Sequence, residues 1–350
     1  MTDRLRASLA HWPKTELHLH LDGSLLVETA LELARSRDVD APRDIAGMRA
    51  ALVAPERCGS QADLLRAFDL PIALLQDAEA LERVTRELVE VKAIDGVRYV
   101  EIRWGPLLHT ARGLTVAAGI AAVCAGAKAG ANAAAAAGRP IEVRLIATAL
   151  RSHDPAANVA LAEAAARFRD RGLVGWDLAG PEEQYPDPLV QQTSFEAART
   201  GGLRITLHAG EWGGAAQVRR ALALQPERIA HGSPAIDDDE LCQALVDRDV
   251  ALDLCPTSNV QAGIVSSLEA HPLARLHRRG VPVTLSTDDL TVSDVTLTEE
   301  YARAVQRIGL TRAELWAIDR RALDRAFADD ATLDKLRSEF DAWSQANRPA

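Results

Sequence analysis

Short apolar runs alternate with stretches of helical periodicity along most of the chain, and this alternation constrains the fold more than any other feature. Each run has the length of one β-strand, and the intervening stretches repeat apolar residues at the helical spacing. Strands that alternate with helices predict parallel β/α units. Eight runs predict a (β/α)8 barrel, with a doubly wound parallel sheet as the second possibility. The predicted strands are Thr15–Leu21, Arg98–Trp104, Ile141–Thr148, Leu173–Leu178, Leu203–His208, Arg228–His231, Val250–Cys255 and Pro282–Thr287. The clearest predicted helices are Ala78–Ala93, Asn158–Arg169, Ala215–Ala223 and Asp238–Asp247.

Two segments exceed a plain barrel. The segment between the first two strands, about residues 24–97, predicts helices that cap one end of the barrel. The segment after the eighth strand, about residues 294–345, predicts closing helices at Arg312–Ala328 and Leu333–Ser344. We expect one domain over residues 1–350; two separate domains are the alternative that the length allows.

The composition narrows the function class. The formal charge is −10, which argues against a nucleic-acid partner and against a polybasic membrane surface. The four cysteines are scattered and no signal-peptide core precedes Pro13, so we expect a reducing, cytoplasmic location. The alanine-rich stretch Val116–Gly138 contains Lys128 and Asn132, which favours a helix of a soluble protein over a membrane span.

Histidines and carboxylates stand at the carboxyl ends of the predicted strands, where the loops of a barrel converge on its active site. Because strand side chains alternate between the two faces, His18 and His20 lie on the same face of the first strand. His208 ends the fifth strand and Asp288 follows the eighth. Three imidazoles and a carboxylate at one end of a barrel predict a divalent metal site, with zinc the natural choice. Glu211 could act as the base, and His231, at the end of the sixth strand, could orient a metal-bound water.

These residues lie in segments that resemble the adenosine deaminase family of the amidohydrolase superfamily. The segments run in family order from about residue 12 to 300 and are highly specific when taken together. They are Glu16–Ser24, Gly96–Arg103, Asp177–Gly180, His208–Glu211, Arg228–Gly232 and Ser286–Asp289. The other zinc deaminase architecture, with a His-x-Glu and a Pro-Cys-x-x-Cys run, is absent from the sequence; Cys255 is therefore interpreted as a buried residue at a strand end.

The resemblance implies a barrel that binds one zinc ion per subunit and a purine nucleoside. It assigns the zinc to His18, His20, His208 and Asp288. It implies that Glu211 carries a proton to the purine ring and that His231 steers the zinc-activated water. The implied substrate-binding residues are Asp22 at the ribose 5′-hydroxyl, Asp289 and the Gly180 backbone at the two edges of the purine, and the apolar cover Leu64, Leu65 and Phe68.

Within the resemblance, Asp22 favours a ribosyl substrate, because the family's free-adenine enzymes usually carry glutamate there. Adenosine or 2′-deoxyadenosine is the first choice. A modified adenine nucleoside such as 6-aminodeoxyfutalosine, of menaquinone biosynthesis, is the alternative, and adenine deamination is a further one. A nucleotide is disfavoured because no cluster of basic residues lies near Asp22.

Two other classes of function compete with a nucleoside deaminase: a binuclear amidohydrolase and a non-catalytic protein on the same fold. Binuclear relatives commonly bridge two metals with a modified lysine at the end of the fourth strand. The chain has four lysines, and none is near Gly175–Gly180. The intact set of four ligands and Glu211 argues against the non-catalytic class. One departure from the family pattern is Leu290, where a proline commonly follows the paired aspartates. His109 and His153 follow the second and third strands and are further candidates for the pocket.

Overall fold

Eight parallel strands follow one another in chain order around a single sheet, in a computed structural model that describes residues 2–347. They are β1 (Lys14–His20), β2 (Val97–Trp104), β3 (Glu142–Leu150), β4 (Leu173–Ala179), β5 (Arg204–Ala209), β6 (Arg228–His231), β7 (Ala251–Leu254) and β8 (Val283–Leu285). The ring closes where the residues after β8 return to β1: the His20 backbone N–H donates to the Asp288 carbonyl at 2.7 Å, and the Asp288 N–H donates to the His18 carbonyl at 3.1 Å. The predicted barrel is confirmed, and the doubly wound sheet was the wrong alternative.

The predicted strands agree with the observed ones to within two residues at every end, and two-residue differences occur at the ends of β3 and β8. The difference at β8 has a local reason. This strand stops at Leu285, two residues before the predicted end. The Ser286 hydroxyl accepts hydrogen bonds from the backbone N–H groups of Leu17 and His18, at 3.3 and 3.2 Å. A side chain therefore replaces the backbone ladder at this point, and the strand ends early.

Helices surround the barrel and fill the two long segments. Helix α1 (Thr2–Ala10) precedes β1. Five helices lie between β1 and β2: α2 (Val27–Ser36), α3 (Ile45–Leu52), α4 (Gln61–Leu65), α5 (Asp69–Leu74) and α6 (Ala78–Ile94). The helices between later strands are α7 (Val116–Ala136), α8 (Pro155–Ala166), α9 (Gln192–Thr200), α10 (Gly214–Ala221), α11 (Asp239–Asp247), α12 (Pro256–Gln261) and α13 (Leu273–Arg278). The closing helices are α14 (Leu297–Arg303), α15 (Arg312–Ala322) and α16 (Asp330–Asn347). The division of the chain into domains stays a prediction.

Three helices differ from the prediction by three residues or more: α16 runs over Asp330–Asn347 rather than Leu333–Ser344, and the ends of α8 and α15 also differ. The differences at α8 and α15 have local reasons. Helix α8 begins three residues early because Asp154 caps it, accepting from the Ala156 N–H at 2.7 Å, and Pro155 fits the first helical position. Helix α15 ends at Ala322 rather than Ala328. Beyond it the chain turns under the barrel, where the buried Phe327 donates its N–H to Glu101 at 2.5 Å.

Within residues 2–347, α7 has the length and apolar composition that could cross a membrane. Its small residues instead let it lie close against α6. A Cβ atom at Gly126 would collide with the Glu82 carbonyl of α6, and one at Gly130 would lie 2.7 Å from the Arg86 carbonyl. The alanine-rich stretch is therefore packed as a helix against the barrel.

Charged side chains fill the lower half of the barrel interior, towards the amino ends of the strands. Arg228, fully buried, forms ion pairs with Glu101 and with Asp253, the latter at 3.1 Å from Nε to Oδ2. Outside the sheet, between β1 and α6, Lys92 reaches Glu16 at 2.6 Å, with both side chains buried. Buried charges are tolerated when they are paired, and here each carboxylate has a cation of the chain beside it.

Candidate metal centre and substrate cavity

Four side chains bring donor atoms together at the carboxyl end of the barrel. His18, His20, His208 and Asp288 each offer one atom, and these atoms all lie within 4.8 Å of one another. Nε2 of His20 lies 3.2 Å from Nε2 of both His18 and His208. Oδ1 of Asp288 lies 2.9 Å from Nε2 of His18 and 3.4 Å from that of His20. Three imidazole nitrogens and a carboxylate oxygen that share one small space match the ligand set of a divalent metal with an open position.

The other ring nitrogen of His208 is held in the way that metal-binding histidines usually are. Nδ1 of His208 lies 3.1 Å from Oδ1 of the buried Asp177, and Thr148 donates to the other oxygen at 3.0 Å. Although burial opposes ionisation, His208 and Arg103 keep the pKa of Asp177 well below its ordinary value. The carboxylate therefore accepts the proton of Nδ1, and the lone pair of Nε2 faces the site.

The two ligands on β1 are kept neutral, which metal binding requires. Burial lowers the pKa of His20 to about 3 and that of His18 well below its usual value, and Arg103 adds to both effects. Asp288 is held ionised instead: although burial opposes its charge, His18 and His231 keep its pKa far below the ordinary range. Ser258 fixes the second oxygen of Asp288 with a hydrogen bond of 2.6 Å.

Two site residues adopt left-handed backbone conformations at strand ends. His231 has a φ of 63° and Asp288 a φ of 69°. L-residues with side chains rarely adopt this region, and such strain concentrates at functional sites. At both positions the chain turns sharply out of its strand, which directs the side chain across the barrel mouth towards the metal ligands.

Glu211 lies on the substrate side of the ligands, in surroundings that favour its protonated form. Burial, together with nearby Asp288 and Glu182, raises the pKa of Glu211 to about 8, although His208 acts against this. Its Oε1 lies 3.7 Å from Nε2 of His231. A carboxyl group that is protonated at neutral pH can donate a proton to a substrate.

The loop that carries Glu211 is fixed on both sides by one carboxylate. Glu182, in the loop after β4, accepts from the Gly210 N–H at 2.9 Å, the Trp212 N–H at 2.8 Å and the Gly213 N–H at 2.9 Å. Arg151 lies 3.5 Å from the same carboxylate. Glu182 was not singled out from the sequence, because its partners lie some thirty residues further along the chain.

Asp289 and Asp22 complete the acidic lining. Burial and the neighbouring Asp288 and Asp22 raise the pKa of Asp289 well above its usual value, which favours the protonated form that can donate a hydrogen bond. A side chain at Gly23 would collide with Asp289. Burial raises the pKa of Asp22 to about 6, although the Gly105 N–H that it accepts at 3.3 Å opposes this.

A cavity of about 250 Å³ opens in front of the ligand cluster. Eleven of the residues assigned from the sequence line it, and His18 lies directly behind His20 and Asp288. The lining residues from that assignment are His20, Asp22, Leu64, Leu65, Phe68, Gly180, His208, Glu211, His231, Asp288 and Asp289. The sequence reasoning missed Asp69, Ile72, Gly105, Leu108, Thr148, Leu150, Ala179 and Pro181. Thr148, Leu150 and Ala179 stand at the ends of β3 and β4, so their strand-end position could have identified them.

The remaining candidates lie outside the cavity wall. His109 is buried behind Asp22, with 3.9 Å between Nε2 and Oδ2, whereas His153 does not reach the cavity. Cys255 is buried as expected. Leu290 donates its backbone N–H to the Ser24 hydroxyl at 3.0 Å. A proline could not make this bond, so the departure from the family pattern ties the loop after β8 to the loop after β1.

Known proteins match the chain over nearly its whole length. A family model described as adenosine deaminase matches residues 13–343. An adenosine deaminase of Vibrio vulnificus is 38% identical over 329 residues, which cover 93% of this chain and 97% of that protein. The structure of the N6-methyl-AMP deaminase from Arabidopsis thaliana has a TM-score of 0.85 at 30% identity and covers 98% of this chain and all of its own. An amidohydrolase from Burkholderia ambifaria with bound zinc has a TM-score of 0.86 at 26% identity, covering 97% of this chain and 94% of its own.

Proposed function

Because the chain belongs to the adenosine deaminase family, we propose that it hydrolyses adenosine and 2′-deoxyadenosine to inosine and 2′-deoxyinosine, releasing ammonia with the help of one zinc ion. The chain is a hydrolytic deaminase that acts on a C–N bond. One observation carries the choice of substrate: the cavity beside the ligand cluster is acidic and apolar, and within residues 2–347 no lysine or arginine lines it.

The proposed roles follow from the protonation states of the side chains. Zinc held by the four ligands would supply a Lewis acid that lowers the pKa of water towards about 7. When water adds to the amino-bearing ring carbon, negative charge develops on the adjacent ring nitrogen. Glu211, protonated at neutral pH, donates its proton to that nitrogen. The proton that the water gives up restores Glu211, and the hydroxyl proton of the adduct passes to the amino group. Ammonia then leaves and a 6-oxo purine remains.

The other edge of the purine would meet Asp289. Its raised pKa makes it a donor to a ring nitrogen, and the absence of a side chain at Gly23 leaves room for it. The leucines Leu64 and Leu65 and the ring of Phe68 would cover the base. In this arrangement the helices α2–α5 act as a cap on a single-domain barrel.

The acidic lining favours an uncharged nucleoside over a nucleotide. The cavity presents Asp22, Asp69, Glu211, Asp288 and Asp289. A phosphate would be repelled by the ionised members of this set and would find no cationic partner in the cavity wall. We therefore propose that this chain shares its fold and reaction type, but not its substrate, with relatives named for a nucleotide, such as the N6-methyl-AMP deaminase.

A substrate panel tests the proposal. The zinc-loaded protein is assayed by loss of adenine absorbance with adenosine, 2′-deoxyadenosine, adenine, AMP, N6-methyl-AMP and aminodeoxyfutalosine. We expect the highest kcat/KM with the first two. Failure to deaminate either nucleoside in a protein that holds one zinc would overturn the assignment, and a preference for aminodeoxyfutalosine would transfer it to the modified nucleoside.

Asp22→Glu tests the sugar contact within the same panel. The longer side chain would occupy the space of the ribose 5′-hydroxyl, so kcat/KM for adenosine relative to adenine should fall about tenfold, in line with the loss of one well-placed hydrogen bond. Asp40→Glu, the same change at an exposed aspartate outside the cavity wall, serves as the matched control. Unchanged selectivity in Asp22→Glu would remove Asp22 from the sugar site.

A further inference from the structure

His231 has a buried polar neighbour on the side that faces away from the cavity. Its Nδ1 lies 3.0 Å from the amide nitrogen of Asn259, which follows β7. The amide oxygen of Asn259 lies 3.0 Å from Nε2 of His271. All three side chains are almost completely buried, so their hydrogen bonds are made with one another rather than with water. The three side chains form a continuous hydrogen-bond network that ends at His231.

A backbone amide determines which atoms of this network donate and which accept. Nδ1 of His271 accepts a hydrogen bond from the Leu273 N–H at 3.2 Å, and a backbone N–H can only donate. Nδ1 of His271 therefore carries no proton, and the proton of the neutral ring is on Nε2. That N–H donates to the Asn259 oxygen. The Asn259 NH2 group is left to donate to Nδ1 of His231.

We propose that Asn259 and His271 are positioning residues that hold His231 in the neutral form with its proton on Nε2, so that it presents a hydrogen-bond donor to the reacting centre. If Asn259 were turned over, its NH2 group would point at the Nε2–H of His271, and two donors would face each other. The backbone of α13 thus determines, through three hydrogen bonds, which nitrogen of His231 carries the proton.

The cavity side of His231 agrees with this assignment. Nε2 lies 3.7 Å from Oε1 of Glu211 and 3.8 Å from Oδ2 of Asp288. An N–H is favoured opposite carboxyl oxygens, whereas a lone pair at this nitrogen would be repelled by the ionised Asp288. Burial with the nearby Arg275 also lowers the pKa of His271 to about 3, in agreement with a neutral ring at that position.

The inference rests on the proposed function only for its consequence. A neutral His231 with its proton on Nε2 cannot take a proton from water at that nitrogen. It can donate a hydrogen bond to the oxygen that adds to the purine and stabilise the charge that develops there. Transfer of the proton to the ring is then left to Glu211.

Nitrogen NMR of histidine-labelled protein tests the tautomer without any turnover. The spectrum is recorded with and without zinc, and His231 is assigned by its loss in His231→Gln. We expect Nε2 of His231 and Nε2 of His271 to carry the protons. A proton on Nδ1 of His231 would overturn the inference, and it would do so whether or not the protein deaminates adenosine.

Two substitutions of His271 test the consequence. His271→Leu leaves Asn259 free to turn over, and we expect Nδ1 protonation of His231 to appear and kcat to fall about 10- to 100-fold, with KM changed far less. His271→Gln keeps a donor towards the Asn259 oxygen and should restore the tautomer and most of kcat. A His271→Leu protein that shows the native His231 tautomer, or a His271→Gln protein as impaired as His271→Leu, would contradict the role of His271.

Discussion

The two halves of the barrel interior treat charge in opposite ways. In the lower half, Arg228 lies between Glu101 and Asp253. In the upper half, His18, His20, His208 and Asp288 direct their donor atoms at one space. The lower half supplies its own cations. In the upper half, donor atoms with lone pairs face one another with no lysine or arginine in the described cavity wall. Burying such groups costs free energy unless a bound ligand interacts with them.

On the basis of this difference, we assign the stability of the barrel to the lower half and the proposed chemistry to the upper half. Ion pairs within the chain make the lower half complete after folding. Carboxyl groups that cannot all ionise, such as Glu211 and Asp289, make the upper half reactive, because a raised pKa is useful only where a proton is to be transferred. Substitutions in the upper half should therefore reduce activity, and substitutions in the lower half should reduce stability.

The largest expected effect is the loss of a metal ligand. His208→Ala removes one of the four proposed ligands, and we expect less than a tenth of the native zinc content and a fall in kcat/KM of at least about 10³-fold. Zinc is measured by elemental analysis and the rate with adenosine. His11→Ala, an exposed histidine, is the control and should match the native protein. Full activity of His208→Ala at native zinc content would break the assignment of the upper half.

Glu211→Gln should have the next largest effect and lower kcat about 10²- to 10⁴-fold. Zinc and substrate binding should persist, because the substitution removes only proton delivery. The native protein should also lose kcat as pH rises through about 8, where Glu211 gives up its proton. The pH profile of kcat is compared between the two proteins, and the alkaline limb should be missing from the variant. A variant that keeps this limb would show that another group causes it.

A substitution in the lower half should reduce stability rather than chemistry. Arg228→Met leaves Glu101 buried without its cation and Asp253 with only Arg103, at 3.7 Å. This should lower the free energy of unfolding by about 3–5 kcal/mol. Chemical denaturation measures this, with zinc content determined on the folded protein. Arg49→Met, which removes an exposed partner of Asp294, should cost less than about 1 kcal/mol. If Arg228→Met lost zinc while keeping its stability, the two halves would not be separable.

The sequence predicted the barrel and the side chains at its mouth for one reason: in parallel β/α units the strand ends share one location. His208 and Asp288 could be placed together from their positions at strand ends alone, although eighty residues separate them. The same rule placed His231 near Glu211, and the structure has them 3.7 Å apart.

The supporting residues could not be predicted, because they depend on how loops cross between strands. Glu182 and Arg151 come from different loops and meet at the backbone of a third. Asn259 and His271 are separated by twelve residues and by an irregular turn, yet they share a hydrogen bond. No periodicity or spacing in the sequence specifies such contacts, since each requires the folded path of the chain.

The clamp that Glu182 forms around Glu211 has a consequence for the energetics of turnover. One carboxylate binds the backbone amide before Glu211 and the two after it, so the loop has already lost its conformational entropy when the substrate arrives. Ordering such a loop costs about 1–2 kcal/mol per residue when it happens upon binding. Here the loop is ordered when the protein folds, so the binding energy of the substrate is not used to order it and can stabilise the transition state.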